Sequence, residues 1–193
     1  MINDIVCFIE KKLNKDRFIH SMNVVKAAKE LANVYKVPFH KVEIAALLHD
    51  NAKDLTKYEI DQYIKKYSID LSDVEINSPQ ILHAYVGAHI AREYFSIDDD
   101  IFNAIYYHTV GRKDMSILEK IIFIADVIEE GRNFSGVEEL RKLAFQDIDL
   151  AIIKSCELTI QYVISRGLLL HNNTVELRNS LIIKMGDKNE KNN

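Results

Sequence analysis

Tryptophan is absent from these 193 residues, cysteine and proline each occur twice, and glycine occurs six times. The missing Trp excludes little. The two thiols, Cys7 and Cys156, lie among apolar residues and supply neither a disulfide framework nor a CxxC ligand pair, so they read as reduced structural cysteines. With so little Gly and Pro, and with alternating runs bounded by turn signals hard to find, the sequence points away from a sheet and toward an all-α fold. Long hydrophobic runs are lacking too: none approaches the ~20 apolar residues of a membrane span. The opening "MINDIVCFIEKKL" breaks its apolar residues with Asp4, Glu10 and two lysines at helical spacing, unlike a signal peptide. A cytoplasmic setting with no membrane partner is expected. Positive charge is also short. A formal net charge of -4 argues against a surface built to neutralise DNA phosphates, although a local basic pocket around a small anion stays open.

What is present is ordinary globular composition, 48% hydrophobic and 28% charged, enough for one sizeable core. Periodicity predicts helices near 3–13, 16–35, 38–51, 57–66, 79–95, 99–108, 116–129, 136–144 and 147–166. Thr56 with Glu59, Ser116 with Glu119 and Ser135 with Glu138 have capping-box spacing, and Ser78-Pro79 reads as an N-cap followed by the first helical position. No repeat or linker divides the chain. One domain is expected over 1–185, with 186–193, "GDKNEKNN", as a disordered tail.

Polar residues on apolar helix faces are the informative feature, because positions three, four and seven apart share a face. His49 follows Ala46, Ala45 and Val42; His108 follows Ile105, Ala104 and Ile101; Asp126 follows Phe123 and Ile122 in "EKIIFIAD". Looking forward, His20 precedes Val24 and Ala27, and His83 precedes Val86, Gly87 and Ile90. All five point inward. His89, His40 and His171 fail the same test and serve as internal controls.

One inward histidine is ordinarily a hydrogen-bonded core residue; the set carries the argument. An ionised carboxylate buried without a partner costs several kcal/mol, and Asp50 and Asp126 have few Lys or Arg on their faces. A divalent metal resolves this. Imidazole and carboxylate without thiolate suit iron, manganese, zinc or cobalt, and more than four candidates imply either two metals or one metal with phosphate-binding histidines.

The order His20, His49-Asp50, His83, His108, Asp126 resembles the HD superfamily of metal-dependent phosphohydrolases over about residues 16–180. The wording "RFIHSMNV", "LLHDNAKDLT", "HAYVGA", "YHTVGRKDMSILEKIIFIADVIEEGRNFSGVEELR" and "TVELRN" is similar to the YqeK family of bacterial symmetrical dinucleoside tetraphosphatases. The resemblance implies a single-domain HD helical bundle that binds iron through His20, His49, Asp50 and Asp126, with manganese, cobalt or zinc as alternatives. It implies cleavage of diadenosine tetraphosphate to two ADP by a metal-activated water. His83 and His108 either hold a second metal, with Asp50 bridging, or contact substrate phosphate. Val110, where the family pattern has a second threonine, and Asn51, where it is usually apolar, depart from the family without removing a ligand.

Cations should line a polyphosphate site. Lys53 lies one turn beyond His49, Arg17 one turn before His20, Arg112 after the His108 helix and Arg132 after Asp126; Lys53 and Arg132 are the favoured phosphate contacts. Asp54 could support Lys53 or assist proton transfer, so Asp50, Lys53 and Asp54 form the catalytic group. Glu119 reads as the partner of Ser116 rather than a ligand. Thr109 and Gly111 can present a hydroxyl and backbone amides to phosphate, and His171, Asn172 and Thr174 in "LLLHNNTVELRN" are consistent with a lid over base or ribose. The expected ligands are a dinucleoside polyphosphate and a nucleoside diphosphate, with a homodimer left open. The competing readings are an HD phosphohydrolase acting on a nucleoside monophosphate, a deoxynucleoside triphosphate or the guanosine alarmone, and a nucleotide-binding module without turnover.

Overall fold

The computed structural model describes the backbone of residues 1–191 and the side chains of residues 1–186. The tail expected at 186–193 lies outside the described residues in its last two positions and in its side chains beyond Gly186. The described chain is helical and without strands: α1 (Ile2–Lys12), α2 (Lys15–Tyr35), α3 (Phe39–Leu48), α4 (Lys57–Tyr67), α5 (Asp73–Ile76), a 3-10 turn (Pro79–Ile81), α6 (Leu82–Phe95), α7 (Asp99–Tyr106), α8 (Ile117–Ile128), α9 (Val137–Gln146), α10 (Ile148–Ser165) and α11 (Asn172–Lys191). None of these helices is long and apolar enough to cross a membrane.

Local chemistry sets the helix ends. Oδ1 of Asn14 accepts from the Arg17 amide at 3.0 Å and starts α2, while Lys36 ends it in the left-handed region at φ 58. Both halves of the capping box form at Thr56/Glu59 and at Ser116/Glu119. A further box, Ser72/Glu75, opens the short α5, too brief for periodicity to reveal. Two expected caps differ. Gly136 at φ 96 heads α9, and Glu138 pairs with Arg141, so Ser135 makes no box. Pro79 begins a 3-10 turn, and the buried Ser78 makes no side-chain cap.

The core forms where α2 packs on α3 and α8, with α7 and α10 closing round it. Val24, Ala28, Leu31, Ala45, Leu48, Ile122 and Ile152 are fully buried there. Ala52, Ile60, Tyr85, Val86 and Ile90 form a second cluster that seats α4 against α6. Helices α3 and α7 end sooner than periodicity predicts, at Leu48 and Tyr106, so His49, Asp50 and His108 lie in the turns that follow.

The segment after residue 166, where no helix is predicted, departs most from expectation: α11 starts at Asn172, with Leu177 and Leu181 buried one turn apart. Arg178 bonds Glu157 of α10 at 2.6 Å. Leu177 fills the notch beside Gly111, where an added Cβ would sit 2.3 Å from Leu177 Cδ2 and where φ is +68. The apolar residues of α11 are not confined to the buried face, since Ile182 and Ile183 are exposed, and this blurred periodicity hid the helix among Asn, Glu and Lys.

Candidate metal centre

Five helices deliver six side chains to one buried point: His20 from α2, His49 and Asp50 from the turn after α3, His83 from α6, His108 from the turn after α7, and Asp126 from α8. His49 is wholly buried, Asp50, His83 and His108 nearly so, and Asp126 is the most open at 19% side-chain exposure. Each histidine is held from behind. The Nδ1–H of His49 donates to the Ala46 carbonyl at 2.7 Å, that of His83 to Gln80 at 2.9 Å, and that of His108 to Ile105 at 2.7 Å. His20 Nδ1 donates to Oε1 of Glu129 at 3.1 Å. A carbonyl or carboxylate only accepts, so the proton resides on Nδ1 and the Nε2 lone pair is left to face the centre.

Those lone pairs meet in couples. His20 Nε2 and His49 Nε2 are 3.3 Å apart, as are His83 Nε2 and His108 Nε2. Asp50 stands between the couples. Its Oδ2 lies 3.8 Å from His20 and 3.7 Å from His49, and its Oδ1 lies 3.0 Å from His83 and 3.6 Å from His108. Asp126 Oδ1 closes on His20 Nε2 at 3.0 Å. Two neutral acceptors pointed at each other and at a carboxylate repel unless a cation lies among them, so the donors fit a divalent metal. Within the set, three groups of donors lie inside 4.8 Å of one another: His20, His49, Asp50; His49, His108, Asp126; and Asp50, His83, His108.

Electrostatics agrees. Burial pushes His49 and His83 down to about 4, which leaves both rings neutral at pH 7 as ligation requires. Burial also lowers His20, but the Asp126 carboxylate beside it and the Glu129 carboxylate behind it together outweigh this and raise it overall. Burial alone would raise both aspartates; the facing His49, His108 and His83 outweigh it at Asp50, and His20 with Arg132 outweighs it at Asp126, so both stay below the usual carboxylate range.

Three of the sequence-derived cations reach the site. Arg17 Nη1 donates to Asp50 Oδ2 at 3.2 Å, Arg132 donates to Asp126 Oδ1 and to its backbone oxygen, and Lys53 Nζ lies 3.2 Å from His83 Nε2. Burial lowers the Lys53 pKa. A cavity of about 550 Å³, walled by Arg17, His20, Glu129 and Arg132, opens this corner to solvent.

Other residues lie apart. The exposed Asp54 accepts from the Asn14 amide at 2.7 Å and from its side chain, so it secures the start of α2. Arg112 forks onto Glu119 with two bonds of 2.7 Å. His171 contacts Glu75 at 3.3 Å, Thr174 donates to the Val110 carbonyl at 3.1 Å, and Asn172 is an exposed first residue of α11. Gly111 serves the packing of Leu177, and its oxygen accepts from Asn173 at 3.2 Å. Thr109 has a buried hydroxyl with no protein partner. Of the controls, His40 is exposed and His89 stacks on Tyr67 with ring centres 4.9 Å apart.

Two buried residues went unread in the sequence. Glu129, besides holding His20, accepts from the Gly131 amide at 2.5 Å. Its spacing of three from Asp126 puts it on the same face, yet "EEGR" reads as a solvated helix end. Asn51 donates to the Leu48 carbonyl at 2.5 Å and to the Gly87 carbonyl at 2.9 Å, tying the turn that bears Asp50 to α6.

The HD domain family model matches residues 17–131. A relative from Halalkalibacterium halodurans named "Bis(5'-nucleosyl)-tetraphosphatase, symmetrical" is 37% identical over 91% of this chain and 94% of its own length. One of the same name from Bacillus subtilis is 39% identical over 82% of this chain and 86% of its own. The crystal structure of a "predicted HD superfamily hydrolase involved in NAD metabolism" from Clostridium acetobutylicum superposes with a TM-score of 0.92 at 41% identity, covering 95% of this chain and 98% of that one. This chain therefore belongs to the HD-domain family and, within it, to the family of symmetrical bis(5'-nucleosyl)-tetraphosphatases.

Proposed function

We propose that this protein cleaves dinucleoside tetraphosphates symmetrically, turning diadenosine tetraphosphate and water into two ADP, in the cytoplasm and with iron as its metal. One observation carries the reading: Asp50 turns a separate oxygen toward each histidine couple, with Arg17, Lys53 and Arg132 round the rim. His20, His49, Asp50 and Asp126 would hold one ion, and His83 and His108, with Asp50, would hold a second. A purely phosphate-binding role for His83 and His108 is the weaker assignment, because phosphate oxygens would meet two lone pairs rather than two N–H donors. The donor set suits iron, with manganese, cobalt or zinc as alternatives.

When bound, the metal supplies a water activated near neutral pH and neutralises phosphoryl oxygen charge. The bond cleaved is the central anhydride: its bridging oxygen leaves with one ADP, and the oxygen of water joins the phosphorus of the other. Because ADP leaves as a stable anion, charge stabilisation matters more than a strong general acid. Arg17 and Arg132 at the mouth and Lys53 beside His83 supply that charge to the phosphates. Asp54, spent on Asn14, positions the turn before Arg17.

Chromatography of the products tests this directly. Protein purified without added metal, whose bound metal is identified by elemental analysis, should give ADP alone from diadenosine tetraphosphate. AMP with ATP, or no cleavage, would overturn it. Turnover of a nucleoside monophosphate, a deoxynucleoside triphosphate or the guanosine alarmone instead would favour another HD phosphohydrolase.

A further inference from the structure

We propose, on the functional reading above, that the apolar cavity on the far side of Arg132 receives a nucleobase of the substrate, with Phe134 and Tyr162 as its aromatic walls. Arg132 lines two cavities: the mouth beside His20, and a second of about 540 Å³ bounded by Val127, Phe134, Leu140, Leu158 and Tyr162. The second volume lies in the range of small-molecule sites, roughly 300–1,000 Å³. The two are joined by consecutive residues of α8. Asp126 faces the histidines, and Val127, about 100° further round the helix, faces the apolar cavity.

Phe134 and Tyr162 stay 39% and 58% exposed although each carries a large ring beside this opening. Packing of the core does not account for them, whereas stacking on a flat heterocycle does. Phe134 is also held where it can serve. Arg141 donates to the backbone oxygens of Ile128, Glu129 and Arg132 at 2.8, 2.7 and 2.9 Å, fixing the root of the segment that carries Phe134.

The ligand's own layout selects the occupant. Its phosphates are central and its nucleosides terminal, so a chain lying across the metal centre carries an aromatic ring outward past the rim. A guanidinium for phosphate followed by an apolar slot with two rings matches that order of anion, then base. The other cavities do not: the one beside α11 is walled by Lys113, Asp114, Lys120 and Glu176, the one between α10 and α11 by Glu157, Gln161 and Arg178, and the smaller one by α2, about 210 Å³, by Lys26, Glu30 and Glu130, and none has a pair of rings. Besides its rings the slot offers only the hydroxyls of Ser155, Thr159 and Tyr162 and the Arg132 guanidinium, so it holds a base chiefly by stacking.

The test is calorimetric titration of the metal-loaded protein with ADP and, separately, with inorganic pyrophosphate, for the wild type, Phe134→Ala and Tyr162→Ala. ADP affinity should fall about tenfold in each variant, the order of one lost base stack, with pyrophosphate affinity unchanged; Phe134→Tyr should restore ADP binding. The KM for diadenosine tetraphosphate should rise with kcat retained. Equal weakening of ADP and pyrophosphate, or no change of ADP binding in either variant, would overturn the subsite. Because ADP binding is read without turnover, a protein that shows the ADP-specific loss but does not cleave diadenosine tetraphosphate defeats the functional reading and leaves the subsite standing.

Discussion

His20 gives its Nδ1 proton to Oε1 of Glu129 at 3.1 Å, whereas His49, His83 and His108 give theirs to backbone carbonyls. A carboxylate behind an imidazole makes the ring a stronger donor and fixes its direction. Glu129→Ala should therefore weaken metal binding by about 10–100-fold, with Glu129→Gln, which still accepts from Nδ1–H, recovering part of it. Competition with a metal chelator reads the affinity; equal binding by wild type and Glu129→Ala would remove this role.

Asp50→Ala should be far more severe, because one side chain faces both histidine couples. The expected loss of turnover exceeds ~10²-fold, the upper range for an outer-shell partner, and bound metal per chain should drop with it. Retention of full metal content would show that the couples hold ions without Asp50.

Acid should destabilise the metal-free protein through His49 and His83. Their folded pKa of about 4 lies below the ordinary 6.5, so between those values the unfolded chain binds protons that the folded one does not. Stability from these groups is therefore present above pH 6.5, declines as pH falls, and is fully lost below about pH 4, at about 1.4 kcal/mol per pH unit per group at most. His20, which is raised, works in the opposite sense; Asp50 and Asp126, which are lowered, act only below their ordinary 3.8. Urea midpoints of chelator-treated protein from pH 7 to 4.5 check the slope, and a flat profile would contradict it.

Leu177→Ala should cost about 2–5 kcal/mol, the range for a buried leucine, since the side chain is fully buried against Gly111. Gly111→Ala should also destabilise, with a Cβ forced onto Leu177 at a positive φ. Both are read from denaturant midpoints at constant metal load. An unchanged midpoint for Leu177→Ala would mean that α11 adds nothing to the His108 turn.

The convergence of these histidines and aspartates was legible because burial leaves a trace: each inward histidine sits among apolar residues one turn away. His49, His83 and His108 each bond the carbonyl three residues earlier, a purely local device. What stayed hidden depends on tertiary contact. Glu129 lies where helical periodicity stops, and its meaning comes from His20, 109 residues away. Helix α11 mixes exposed Ile182 and Ile183 with buried Leu177 and Leu181, so its inward face shows only once the notch at Gly111 receives Leu177. Asp54, beside His49 and Asp50 in sequence, turns instead to Asn14, accepting from its amide at the start of α2.

The pairing of Arg17 with Asp50 and of Arg132 with Asp126 puts two guanidiniums on the very oxygens that face the histidines. A divalent ion held by these carboxylates would compete with both arginines for them. Loading would then neutralise the carboxylates and leave Arg17, Arg132 and Lys53 to a polyanion. Assembly acquires an order, metal before nucleotide, and the rate of nucleotide capture should decline with ionic strength as long-range attraction is screened.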